Sequence, residues 1–202
     1  MQLLILATLL ALCSADYYVE NLSNNYKGET MSFIKYEFKF CYLFTTNKKT
    51  SYKYVKDGDN AKYYTYSDSE CKQDEKLEKT IAIGGSSSTS FFAPSHLFFL
   101  NSIDDAGCPN ADRLFRTYYT DKIGQTSGIL SKGNYWRYEV RDISNEDWVH
   151  TVYCQDEKCN TVNSADKTYK CDTCYGVTNI LVQCGASSLY IISFLLAFIF
   201  LL

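Results

Sequence analysis

The sequence predicts an all-β or β-dominated chain, a disulfide-stapled antiparallel sheet of sandwich-like type. Three observations carry this reading. Apolar and charged residues alternate with period two in both halves of the chain. Eight cysteines remain once an N-terminal leader is removed. No stretch between the two ends sustains a helical period, so apolar helices are expected only at those ends. Aromatics make up 16% of the 202 residues, 18 of them tyrosines, which supplies bulk for a core.

The strand grammar is clearest at Phe33–Cys41. There Ile34, Tyr36, Phe38 and Phe40 alternate with Lys35, Glu37 and Lys39. Ser51–Lys56 and Lys62–Tyr66 follow, joined by the turn signal Asp57-Gly58-Asp59-Asn60, and the three segments read as one antiparallel meander. Further on, Trp136, Tyr138 and Val140 alternate with Arg137, Glu139 and Arg141, and Trp148–Cys154 returns. A two-residue loop at Ser144-Asn145 sets Val140 opposite Val149, Arg141 opposite Trp148 and Glu139 opposite His150. In that register Trp136, Tyr138 and Val140 face the core. Trp148, Arg141 and His150 share the opposite, polar face, with Arg141 stacked on Trp148.

Gly84–Ser90 reads as an exposed loop, dividing residues 16–184 into two halves, 16–83 and 91–184. Phe91–Leu100, broken by Pro94, suits a buried connection or an edge strand. The halves echo one another. Val55-Lys56-Asp57 resembles Val140-Arg141-Asp142, and Cys71–Lys76 resembles Cys154–Lys158, which aligns Cys71 with Cys154.

The ends assign the compartment. Residues 1–15 carry the apolar run Leu3–Leu12 followed by Cys13-Ser14-Ala15, the pattern of a cleaved signal peptide. Residues 185–202 begin with the small residues Gly185, Ala186 and Ser187, candidates for lipid attachment, and end in the uncharged tail Leu189–Leu202. This is the order of a glycosylphosphatidylinositol signal, with a shortened polar spacer. A transmembrane helix counted from Ile180 is the alternative, and a secreted form a third. The expected location is the outer face of the plasma membrane, and the membrane is itself one partner.

In an oxidising compartment Cys41, Cys71, Cys108, Cys154, Cys159, Cys171, Cys174 and Cys184 read as four disulfides. Five of them lie within Cys154–Cys184, so at least one must reach back to the earlier three. The spacings Cys154-x4-Cys159 and Cys171-x2-Cys174 also fit half-sites for zinc, and the second fits a redox pair. A secretory context favours disulfides over both. Asn21-Leu22-Ser23 is a sequon near the leader, making Asn21 a candidate for glycosylation.

Charge and chemistry narrow the function. With 20 basic against 23 acidic residues, the chain lacks the basic surface that nucleic acid requires. His96 and His150 are its two imidazoles, too few for a multi-histidine metal site, and no cofactor motif appears. No Gly-x-Ser-x-Gly elbow surrounds a serine. The expectation is a tethered ectodomain that binds an extracellular protein or a glycan, as an adhesin, receptor-like or surface-coat protein. An extracellular hydrolase using His96 or His150 is the alternative, and a coat protein without a discrete ligand is the other. The polar face holding Trp148, Arg141 and His150 is the expected ligand surface.

Overall fold

A computed structural model describes residues 17–44, 49–83, 89–91, 93–102, 108, 111–126, 132–175 and 180–185, and these described residues form fifteen strands. The expected leader, Ala186, Ser187 and the apolar tail lie outside the described residues. In chain order the first strands are β1 (Tyr17–Asn24), β2 (Thr30–Glu37), β3 (Tyr42–Leu43), β4 (Ser51–Asp57) and β5 (Asn60–Tyr66). Next come β6 (Lys76–Ala82), β7 (Thr89–Ser90), β8 (Phe98–Ser102), β9 (Arg116–Tyr119) and β10 (Gly124–Gln125). The last are β11 (Tyr135–Asp142), β12 (Asp147–Cys154), β13 (Val162–Lys170), β14 (Thr173–Tyr175) and β15 (Ile180–Cys184).

They form a seven-stranded sheet in the order β14-β15-β8-β9-β2-β1-β7 and two four-stranded sheets, β3 to β6 and β10 to β13. Every named strand pair is antiparallel. The central sheet takes β1 and β2 from before the Gly/Ser stretch and β8, β9, β14 and β15 from after it. β8 is an inner strand there, paired on both sides, rather than an edge.

Both small sheets pack on one face of the central sheet, giving a sandwich-like arrangement. Tyr18, Ile34 and Tyr36 meet Tyr42, Tyr52, Tyr54 and Ala61 of the β3–β6 sheet. Phe98 and Val182 meet Val149, with Tyr138, Val140 and Tyr169 around them, from the β10–β13 sheet. The first cluster is built from tyrosine rings, as in Tyr36 against Tyr54 at 4.5 Å between centroids. Burial pushes the Tyr36, Tyr52 and Tyr54 phenols well above their usual range, so they stay neutral within the core. The outer face of the central sheet carries Val19, Phe33 and Tyr118, which Ala93 and Phe99 join. The 3-10 turn Ala111–Arg113 adds Ala111 and Leu114 beside Leu43. Buried Asn101 ties this turn down by donating to the carbonyls of Ala111 (3.0 Å) and Phe115 (3.2 Å).

The expected three-strand meander is corrected. Segments 51–57 and 60–66 pair as anticipated through the loop Gly58-Asp59, with Gly58 at a φ of 57° that suits glycine. β2, however, belongs to the central sheet between β1 and β9. The chain turns at Lys39 (φ 68°) and crosses to the second sheet, where the Tyr42 hydroxyl accepts the Glu37 N–H at 2.7 Å. On the opposite face of β2, Phe33 is buried as well, against Val19 and Tyr118 of the same sheet and Ala93 of the segment before β8.

The eight cysteines form four disulfides: Cys41–Cys71, Cys108–Cys174, Cys154–Cys159 and Cys171–Cys184. Four disulfides are typical of extracellular proteins. Cys174 is the member of the late cluster that reaches back, and its bond fastens β14 to the segment before the 3-10 turn. Cys171 and Cys174 take different partners, so neither the zinc half-site nor the redox pair is formed.

The two small sheets share one turn geometry, in an alignment other than the one the charged runs suggest. Asp68, Cys71 and Gln73 occupy the turn before β6 as Asp156, Cys159 and Thr161 occupy the turn before β13, at a constant spacing of 88 residues. In each, the residue before the aspartate donates its N–H across the turn, Ser67 to Gln73 (3.2 Å) and Gln155 to Thr161 (3.0 Å). Both Cys71 (φ 53°) and Cys159 (φ 55°) sit in the left-handed region. Cys71 therefore corresponds to Cys159, not to Cys154. Aligning the charged runs after Cys71 and Cys154 sets the two segments five residues out of step.

Candidate functional site

The β11–β12 hairpin has the register that its alternation predicts. Val140 faces Val149, Tyr138 faces Thr151, Trp136 faces Tyr153, Arg141 faces Trp148 and Glu139 faces His150. Its loop is closed by Ile143 and Glu146 exchanging backbone bonds, with Ser144 (φ 58°) and Asn145 (φ 65°) both left-handed, the type I′ geometry that follows strand twist. The Asp142 carboxylate accepts the Asn145 N–H at 2.9 Å and holds that turn.

β13 then pairs along the other edge of β12, setting Lys167 opposite His150 and Lys170 opposite Trp148. The face turned away from the central sheet thus gathers Arg137, Glu139 and Arg141 from β11, Trp148 and His150 from β12, and Lys167 and Lys170 from β13. Sequence reasoning missed both lysines. Val162–Lys170 alternates small and polar residues around a bulge, so it offers no apolar stripe to mark a strand.

Four cations and two carboxylates share this surface, in a chain whose net charge is −3. Glu139 accepts from Arg141 at 3.0 Å and lies 3.6 Å from Arg137. The Arg141 bond, ahead of the other neighbouring charges, holds the Glu139 carboxyl below the usual range. Glu146 binds Lys170 at 2.6 Å and accepts the Trp148 indole N–H at 3.3 Å, and the Lys170 bond lowers its carboxyl most. Lys167 sits 3.4 Å from the Trp148 ring centroid.

Two expectations for this face are corrected. Lys167, not Arg141, stacks on Trp148, because Arg141 turns instead to Glu139. His150 does not project; it is only 6% exposed. It lies on an inner strand with a long side chain on each flank, and these cover it. Burial first, then Arg141 and Lys167, lower its pKa. Both ring nitrogens of His150 and the Nε of Arg137 are buried without a hydrogen-bond partner. Such unmatched polar atoms are costly to leave buried. Chemically, the face offers convergent donors for an acidic group beside an indole platform.

The other expected residues lie apart from this face. Asn21 is half-buried in β1 opposite Phe33, followed by exposed Leu22 at a bulge and by Ser23, whose hydroxyl bonds Ser32 at 2.6 Å. Gly185 is exposed and donates its N–H to the Leu97 carbonyl at 2.9 Å. His96 is half-buried against Tyr118, with ring centroids 4.5 Å apart, on the outer face of the central sheet. Among the described residues no helix is long and apolar enough to cross a membrane, and no cluster of three His, Cys, Asp or Glu could hold a metal ion.

Fold and site together define a disulfide-stapled antiparallel β protein with one basic, tryptophan-bearing sheet face. Comparison with known proteins finds no matching family model, no matching curated protein and no matching solved structure.

Proposed function

We propose that this chain is a membrane-tethered cell-surface ectodomain that acts by binding, as an adhesin, receptor-like or coat protein. Its partner meets the outward face of β11, β12 and β13. The observation that carries the reading is the convergence of Arg137, Arg141, Lys167 and Lys170 around Trp148, in a chain whose net charge is −3. Arg and Trp are the residue types that dominate protein interfaces when desolvated. The cations of the face come from two strands flanking the Trp148 strand, which favours an acidic patch of an extracellular protein over a small ligand. The four disulfides support an extracellular location. The tail Leu189–Leu202 and the small residues before it support a lipid anchor.

Cells displaying the tagged chain provide the test. Phosphatidylinositol-specific phospholipase C is expected to release soluble protein lacking Leu189–Leu202; retention on the cell overturns the lipid anchor. Released protein carrying Arg141→Glu with Lys167→Glu is expected to lose adhesion to partner cells, while Lys79→Glu on the β3–β6 sheet keeps it. Equal adhesion by both variants overturns the assignment of the face.

A further inference from the structure

The outer face of the central sheet, apart from the surface just described, carries a cavity of about 310 Å³. That is the lower end of the range for small-ligand pockets, roughly 300–1,000 Å³. β2 and β9 form its floor. Their register, with Ile34 opposite Thr117, brings Lys35 and Arg116 beside each other one step along. Two like charges on adjacent strands repel, and among the described residues neither has a carboxylate within ion-pairing distance. Aromatic faces hold them instead. The Lys35 ammonium lies 4.5 Å from the Tyr17 ring centroid and 4.9 Å from that of Tyr118, and the Arg116 guanidinium 4.7 Å from that of Phe99.

The remaining lining has the opposite character. Glu37 and Asp112 are exposed at the rim, and Tyr42 and Phe40 supply ring surface. Burial holds the Lys35 ammonium below the usual lysine range, Arg116 adding to the effect and Glu37 opposing it. A cationic floor, aromatic walls and acceptor carboxylates at the mouth form a graded site. A phosphate or sulfate polymer would meet the rim carboxylates with like charge. A neutral sugar would leave the floor cations unmatched.

We infer that this cavity binds a carboxylate-bearing sugar, its carboxylate between Lys35 and Arg116, its hydroxyls donating to Glu37 and Asp112, and its ring face on the tyrosines. The site is independent of the β11–β13 face. Either reading stands or falls alone.

The test uses the full chain with disulfides intact, titrated with glucuronate and N-acetylneuraminate by ligand-observed NMR. Glucose and glycine serve as a neutral sugar and a carboxylate without a sugar ring. Saturable binding of at least one acidic sugar is expected, with glucose and glycine weaker. Lys35→Met and Arg116→Gln should each weaken binding by about tenfold or more, the loss of a charged hydrogen bond. Lys35→Met keeps the apolar stem over Tyr17, and an unchanged melting temperature shows that it folds. Trp148→Ala, on the other face, should bind as the parent does. Absence of saturable binding by both acids overturns the inference. So does equal binding of glucose or glycine, or an affinity unchanged in both cavity variants.

Discussion

Asp68 and Asp156 perform the same task in two different sheets. Asp68 accepts the backbone N–H groups of Lys72 (3.0 Å) and Gln73 (3.2 Å). Asp156 accepts those of Asn160 (3.2 Å) and Thr161 (2.8 Å), the residues four and five positions on, together with that of Lys158 (3.0 Å). Each carboxylate organises a tight turn whose cysteine, three residues later, has a positive φ. The likeness extends into the strands that follow: Asn60 faces Ala82 as Trp148 faces Lys170, again 88 residues apart at both positions. One local solution to a turn thus frames both small sheets.

These carboxylates are held below the usual range by their backbone bonds. The stability they contribute is therefore present above the unfolded aspartate pKa, about 3.9, and is lost as pH falls through the lower folded value. Asp68→Ala and Asp156→Ala should each lower the urea midpoint at neutral pH, and the double variant should show the sum, because the turns share no partner. Asn at either position, which keeps an acceptor, should lose less. A double variant no worse than the singles would refute the independence of the two turns.

The four disulfides differ in what they constrain. Cys108–Cys174 spans a sequence separation of 66, and Cys154–Cys159 one of 5. On a chain-entropy account the first contributes about 4 kcal/mol and the second about 2 kcal/mol. Paired alanine replacements followed by urea unfolding should reproduce that order. Thiol labelling of the denatured, unreduced mature protein should find no free cysteine. Two or more reactive thiols would contradict the pairing.

His96 supplies a pH dependence. Burial, and then the Lys35 charge, depress its pKa to about 4 from an unfolded value of 6.5. The neutral ring is the form the fold accommodates, so its contribution is complete above about pH 6.5 and is lost as pH falls towards 4. Allowing for solvent screening of a half-buried ring, the loss is about 1–2 kcal/mol. Urea midpoints measured between pH 7 and 4 should decline less steeply for His96→Phe than for the parent. Parallel profiles would show that the ring titrates normally.

Local patterns were legible from residues alone. The β11–β12 register follows from period-two side chains and a two-residue loop, because both facts lie within twenty neighbouring residues. So does the Asp57–Asn60 turn. The secretory pattern and an even cysteine count forecast disulfides as a class. The candidate site residues on that hairpin, Arg141 and Trp148, are legible for the same reason, whereas Lys167 is not.

What the sequence determined by itself is therefore short-range: strand character, turn chemistry, side-chain alternation and the presence of paired cysteines. Only the tertiary structure decided which strands became neighbours. It drew β2 out of the apparent meander into the central sheet, buried His150 by adding β13, joined Cys108 to Cys174, and set Lys35 beside Arg116. Those outcomes depend on contacts between segments distant in the chain. Their free energy comes from faces packing together, and one strand's alternation names its buried side without naming what covers it.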